Sequence, residues 1–246
     1  MVKRAYFTVF DKNNEKFLPG LVNSLRKFDP ETELVVFKDE VVTNYLKRDP
    51  EFFYRACPIL ASNLFNQGYD EVCKLDVDQI ITGDISYIWE GDCDIATVLN
   101  TNPREMKNLV VSVPGVDPMQ YMNCGLVVMR SKPFVAQWLA LCHNPQFQRF
   151  QYREQDIMNL MIHYGNWKVV QLDGDKGFYG LSSKGYWPET KLVDDKIILP
   201  ANEEWNKQDA EIKVIHFAGG NDPQKGNYNL YFPEEVVERI KWLTAA

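Results

Sequence analysis

The chain has 246 residues, 45% of them hydrophobic and 13% aromatic, which is ample for a buried core and excludes a disordered or collagen-like polypeptide. Its formal charge is -7, with 27 Lys and Arg against 34 Asp and Glu, so the dense basic surface of a nucleic-acid binder is missing and no nucleic-acid partner is expected. No window reaches the roughly 20 apolar residues that cross a bilayer, so no transmembrane segment is expected. Met1 to Phe10 has a basic flank but runs into Asp11 without a small-residue cleavage site, and reads as a first strand rather than a signal peptide. The five cysteines, Cys57, Cys73, Cys93, Cys124 and Cys142, are odd in number and lack Cys-x-x-Cys spacing. Reduced, buried thiols and a cytoplasmic location are the expectation.

In chain order, Phe7 to Phe10 reads as a strand and Phe17 to Phe28 as a helix, with Phe17, Leu21, Leu25 and Phe28 at helical spacing. Leu34 to Phe37 is a second strand. Ile59, Leu60, Leu64 and Phe65 mark a helix stopping near Gly68, and Glu71 to Leu75 a third strand. Further strands are expected at Ile95–Leu99, Gly125–Met129, Lys168–Leu172, Lys196–Leu199 and Lys213–Phe217, and helices at Pro133–Cys142 and Gln155–His163. Pro233 to Leu243 closes the chain as a helix with an apolar stripe of Val236, Val237, Ile240 and Leu243, suited to covering a core or to a peripheral membrane contact. Asn100 to Met122 carries three prolines and little period, the pattern of a functional loop or of short helices over the sheet. Alternating strands and helices predict one α/β domain, a mostly parallel sheet covered by helices.

Asp76-Val77-Asp78 follows the third strand. If the strand continues extended, alternation sends both carboxylates to one side, where a divalent cation removes their mutual repulsion. On its own the tripeptide reads equally as a turn or a helix cap.

Its surroundings narrow the choice. The run Lys74-Leu75-Asp76-Val77-Asp78 through Gly83-Asp84-Ile85 resembles the glycosyltransferase family of glycogenin and the bacterial lipopolysaccharide galactosyltransferases, family 8, in which a strand ends in Asp-x-Asp. Four more blocks in the same order are similar to that family: Phe17 to Arg26, Asn123-Cys124-Gly125, Glu154-Gln155-Asp156, and His216-Phe217-Ala218-Gly219. The resemblance implies a single α/β domain of GT-A fold over residues 1–246, a mixed twisted sheet flanked by helices, with residues 1–99 as the nucleotide- and metal-binding half and 100–246 as the sugar and acceptor half, and it implies retaining transfer of a hexose from a UDP-sugar to a hydroxyl of a glycan or glycoconjugate. It also implies a site. Asp76, Asp78 and His216 would hold the metal, and Phe7, Thr8 and Val9 would line the base. Val77, Asn123, Gly219, Gly220 and Lys225 would contact the donor, with Gln155, and Glu154 or Asp156, at the reacting carbon.

Two oxygens and an imidazole nitrogen suit Mn2+ first and Mg2+ second. His216 on its own also fits a hydrogen-bonded core histidine. Lys225 stands later than the family's lysine, with no Lys-Pro-Trp, and fits a solvated loop lysine as well. Arg55 matches the family's phosphate- or sugar-contacting basic residue, and a surface salt bridge equally. Glu154 stands where the family usually has Asp. A sugar-phosphate nucleotidyltransferase would share the sheet and the metal, but Thr8 to Asn14 lacks the glycine-rich phosphate loop it needs. A non-catalytic nucleotide-sugar or carbohydrate-binding module is the remaining reading.

Overall fold

The computed structural model describes residues 2–100, 113–172, 180–182, 187, 189–201, 208–217 and 232–246. Its centre is a six-stranded sheet in the order β2-β1-β3-β6-β5-β7. The strands are β1 (Arg4–Val9), β2 (Glu33–Phe37), β3 (Glu71–Leu75), β5 (Ile95–Leu99), β6 (Met122–Met129) and β7 (Val169–Gln171). β1 runs parallel to both β2 and β3, whereas β6 is antiparallel to β3 and to β5. The sheet is therefore mixed, as the family resemblance implies, and not the mostly parallel sheet that alternation alone suggests.

Period-two alternation sorts the strand side chains onto two faces. Ala5, Phe7 and Val72 face a layer made of α3 (Ala56–Asn66), α4 (Lys132–Cys142) and α5 (Glu154–Tyr164), while Tyr6, Cys73 and Leu75 face α1 (Leu18–Phe28). All five cysteines are buried and free, in agreement with the sequence. Pro58 lies in the first turn of α3, where a missing N–H costs nothing, so the helix starts earlier than its apolar period suggests.

One helix has no apolar signature. α2 (Asp39–Arg48) buries only Val42, and its order shows instead in charge: Asp39 and Glu40 in the first turn, Lys47 and Arg48 in the last, each sign complementing the helix dipole.

Two small sheets complete the described chain. One joins β4 (Gln79–Ile81), β12 (Val214–His216) and β8 (Gly180–Ser182); the other joins β11 (Ala210–Glu211), β10 (Lys196–Leu199) and β9 (Lys191–Val193). The closing helix α6 (Glu234–Thr244) packs on them. Its stripe, Val236, Val237, Ile240 and Leu243, is fully buried, so those side chains cover a core and are not free to meet a membrane. No helix among the described residues is long and apolar enough to span a bilayer.

The β5–β6 pairing breaks once. Thr97 pairs with Val127 but Val98 with Asn123, so Cys124, Gly125 and Leu126 are lifted away from β5. The Thr97 hydroxyl bridges the break by donating to the carbonyls of Asn123 (2.7 Å) and Leu126 (2.9 Å). Bulges of this kind re-aim a strand beside a site.

Candidate active site

Asp76 and Asp78 do converge, but not by extended alternation. The Gln79 N–H donates to the Asp76 carbonyl at 3.1 Å, so Asp76-Val77-Asp78 is a turn that folds β3 back into β4. Val77 is the inward residue of that turn, buried against Phe10 and Phe17, and its anchoring leaves the flanking carboxylates pointing out of the core. β4 then pairs antiparallel with β12, and the register sets His216 opposite Gln79. The Phe217 N–H closes the corner on the Asp78 carbonyl at 3.0 Å. A residue 138 positions away thereby reaches the acid pair through one short strand pairing.

His216 Nε2 lies 3.3 Å from Asp76 Oδ2 and 3.3 Å from Asp78 Oδ1. One ligand atom from each of the three residues falls within 4.8 Å of the others, a spacing that a single cation can span. Two carboxylate oxygens and an imidazole nitrogen fit a first-row divalent ion. The floor also fits. A Cβ placed on Gly125 would come within 2.5 Å of the His216 ring, 2.7 Å of Asn123 Oδ1 and 2.9 Å of Asp76 Oδ2, so only glycine leaves the cradle open.

The charges at this corner are tightly balanced. Burial alone disfavours the His216 imidazolium, but Asp78 and Asp76 outweigh it and push its pKa up to about 10. Burial likewise opposes ionisation of Asp76, yet Lys74 and His216 hold its carboxyl well below the usual range. A cation entering here must displace the proton on His216.

Beneath the acid pair lies Lys74, which the sequence pattern leaves as an ordinary strand residue. It is 7% exposed, and its ammonium sits 2.6 Å from Asp76 Oδ1 and donates to the Cys124 carbonyl at 2.8 Å. The signal was present in the chain: positions 74 and 76 share one side of an extended strand.

The start of α5 forms the second part of the site. Arg153, just before it, adopts a φ of 46°. Gln155 Oε1 accepts the Cys124 N–H at 2.8 Å, which ties the helix to the bulged segment of β6. Glu154 caps the opposite helix, accepting the Cys57 N–H in the first turn of α3 at 3.0 Å, and burial raises its pKa to about 7 despite the pull of Lys74 and that N–H. Asp156 is fully buried, with Oδ1 accepting the Tyr121 hydroxyl at 2.6 Å and Oδ2 the Tyr152 N–H at 2.8 Å. Both of its oxygens serve the framework. Asn123 uses Oδ1 to accept the Gly125 N–H at 2.6 Å and donates from Nδ2 to Asn100 Oδ1 at 2.7 Å.

The remaining residues separate. Phe7 is core, edge-on to Phe37. Val9 is half-buried, and the Thr8 hydroxyl is buried with no hydrogen-bond partner among the described residues. Arg55 is tied elsewhere: Nη1 contacts Asp49 Oδ2 at 2.6 Å, Nη2 contacts Glu51, and Nε donates to the Cys142 carbonyl at 3.2 Å. Arg55 is therefore buried in ion pairs with Asp49 and Glu51 and is not in the surface salt bridge that the sequence offered as one reading. Gly219, Gly220 and Lys225 lie outside the described residues.

Solved structures share this architecture across nearly the whole chain. The bifunctional glycosyltransferase WbbM, in its apo form, superposes with a TM-score of 0.62 at 16% identity, over 99% of this chain and 50% of that one. The galactosyltransferase LgtC, in complex with donor and acceptor sugar analogues, superposes with a TM-score of 0.53 at 15% identity, over 98% and 95%. GlyE of Streptococcus pneumoniae, a glycosyltransferase, gives 0.56 at 12% identity, over 99% and 61%. The fold is that of the GT-A glycosyltransferases. The chain spans about half the length of WbbM and most of LgtC. No family model and no curated protein sequence matches it. In this GT-A fold the acid pair stands at the carboxyl end of β3, the end of an α/β sheet where ligands bind.

Proposed function

We propose that the chain is a metal-dependent, retaining glycosyltransferase that moves a hexose from a UDP-sugar to a hydroxyl of a glycan or glycoconjugate. The observation that carries this reading is the convergence of Asp76, Asp78 and His216 at the end of β3 in a GT-A fold. Fold alone does not fix chemistry, so the weight rests on that corner.

Asp76 Oδ2, Asp78 Oδ1 and His216 Nε2 would hold the cation, Mn2+ by preference and Mg2+ otherwise. A cation held there would supply Lewis-acid stabilisation of the departing diphosphate. Gly125 keeps the floor low enough for phosphate to approach. Phe7 and Thr8 are fully buried, so the base would meet the half-buried Val9 and the backbone at the carboxyl end of β1 and not the Phe7 or Thr8 side chains. Gln155, held by the Cys124 N–H, faces the reacting carbon, and Asn123 binds a sugar hydroxyl. In the transfer, the acceptor oxygen bonds to the anomeric carbon as the carbon–diphosphate bond breaks, and the acceptor proton passes to the diphosphate. Glu154 and Asp156 support this strip from behind, because their oxygens already accept hydrogen bonds from the fold. Gly219, Gly220 and Lys225 complete the diphosphate side in this reading.

The test is incubation with a panel of UDP-sugars and Mn2+. Slow metal-dependent hydrolysis of one donor is expected, and Asp78→Ala should abolish it while the circular dichroism spectrum stays unchanged. Hydrolysis that survives in Asp78→Ala refutes the site.

A further inference from the structure

Lys74 is an unusual occupant of its position. Its neighbours on that face of the sheet, Val72 and Val127, belong to the apolar layer, yet Lys74 stands beside them at 7% exposure. A buried charge is retained only where partners compensate its desolvation. Its partners are Asp76 Oδ1 at 2.6 Å and the Cys124 carbonyl at 2.8 Å, with Glu154 contributing from further away. Asp76 thus has its two oxygens divided: Oδ1 belongs to Lys74, and Oδ2 belongs to the corner with Asp78 and His216.

We propose that Lys74 is a resident counter-cation of the acid pair, a positioning residue that restricts Asp76 to one ligand oxygen and keeps the corner's affinity for a bare divalent cation low. The inference rests on the metal-site reading above and deepens it. A fixed positive charge a few ångströms from the ligand oxygens repels an incoming divalent ion, and in partly buried surroundings that repulsion is poorly screened. The same charge attracts a diphosphate. Lys74 therefore biases the corner toward a cation that arrives together with nucleotide diphosphate, and against a cation alone.

Opposite signs distinguish this role from a merely structural one. In Lys74→Met, Mn2+ binding to the nucleotide-free protein, followed through the electron paramagnetic resonance signal of free Mn2+, should tighten roughly tenfold or more. UDP binding without metal, measured by calorimetry, should weaken. Damage to the fold would weaken both. Unchanged or weaker Mn2+ binding in a variant with a native circular dichroism spectrum overturns the proposal. If Lys74→Met does not fold, Lys74→Gln carries the same two measurements, since its amide still reaches toward the Cys124 carbonyl without the charge. A wild-type protein that binds no Mn2+ even with UDP present would sink the metal-site reading itself. Normal Mn2+–UDP binding with no response to Lys74→Met would sink only the role of Lys74.

Discussion

The two halves of the candidate site are built on opposite principles. At the corner of β3 and β4, Asp76 and Asp78 keep side-chain exposures of 31% and 22%, and among the described residues their carboxylates meet the charged side chains of His216 and Lys74. At the start of α5, Glu154 and Asp156 are 9% and 0% exposed, and their carboxylates accept backbone N–H groups and a tyrosine hydroxyl. Acids answered by other charged side chains at a partly open corner are placed to take a cation, whereas acids answered by the fold hold a helix in place. Similar residue types, both written as closely spaced acids in the sequence, thus do different work according to what satisfies them.

Removing the corner's open floor should have the largest effect. Gly125→Ala drives a methyl group into His216, Asn123 and Asp76, and metal-dependent donor hydrolysis should fall about a hundredfold, the scale seen when groups that orient metal ligands are lost. If Gly125→Ala keeps wild-type hydrolysis, the corner is not where the reaction occurs.

The next effect belongs to α5. The folded pKa of Glu154 is raised to about 7 from 4.5, so its stabilising contribution is present in full below the lower value and is lost as pH rises through the upper one. The wild-type protein should lose on the order of 2–3 kcal/mol from this group between pH 5 and pH 8. Urea unfolding of Glu154→Gln should show that slope flattened, and an unaltered slope would assign the pH dependence elsewhere.

The smallest effect should come from Tyr121→Phe. It strips Asp156 Oδ1 of its hydroxyl partner and should cost about 1–2 kcal/mol of stability while sparing donor hydrolysis. A variant that is fully stable but inactive would move Asp156 from the framework into the chemistry.

The central strands, the three helices packed on one face and the acid pair were legible in the chain because each leaves a local period or a compact motif. α2 was not, since its order is carried by charge at its two ends and a single buried valine. The short strands β4, β8, β9 and β11 are two or three residues long, too brief to show alternation. Within the site, the sequence brought Asp76, Asp78 and His216 to the same metal only through a family resemblance, and the turn that joins them depends on where Val77 is buried. The partners of Asp156 are a loop tyrosine 35 positions away and a backbone group, and no periodicity marks either. Lys74 was missed because alternation in Glu71-Val72-Cys73-Lys74-Leu75 marks only the face it shares with Val72, and its partners, Asp76 and the Cys124 carbonyl, come together through the turn and the bulge.

The break in the β5–β6 register has a further meaning. β6 keeps step with β3 through Leu126 while slipping out of step with β5, so one strand serves two neighbours on different schedules. The slack amounts to Cys124, Gly125 and Leu126, and the backbone groups of the first two reach Asp76, Lys74 and Gln155. Shortening this segment to restore uniform pairing would yield a tidier sheet in which those contacts have no place to form. The site is lodged in the one spot where the sheet declines to be regular.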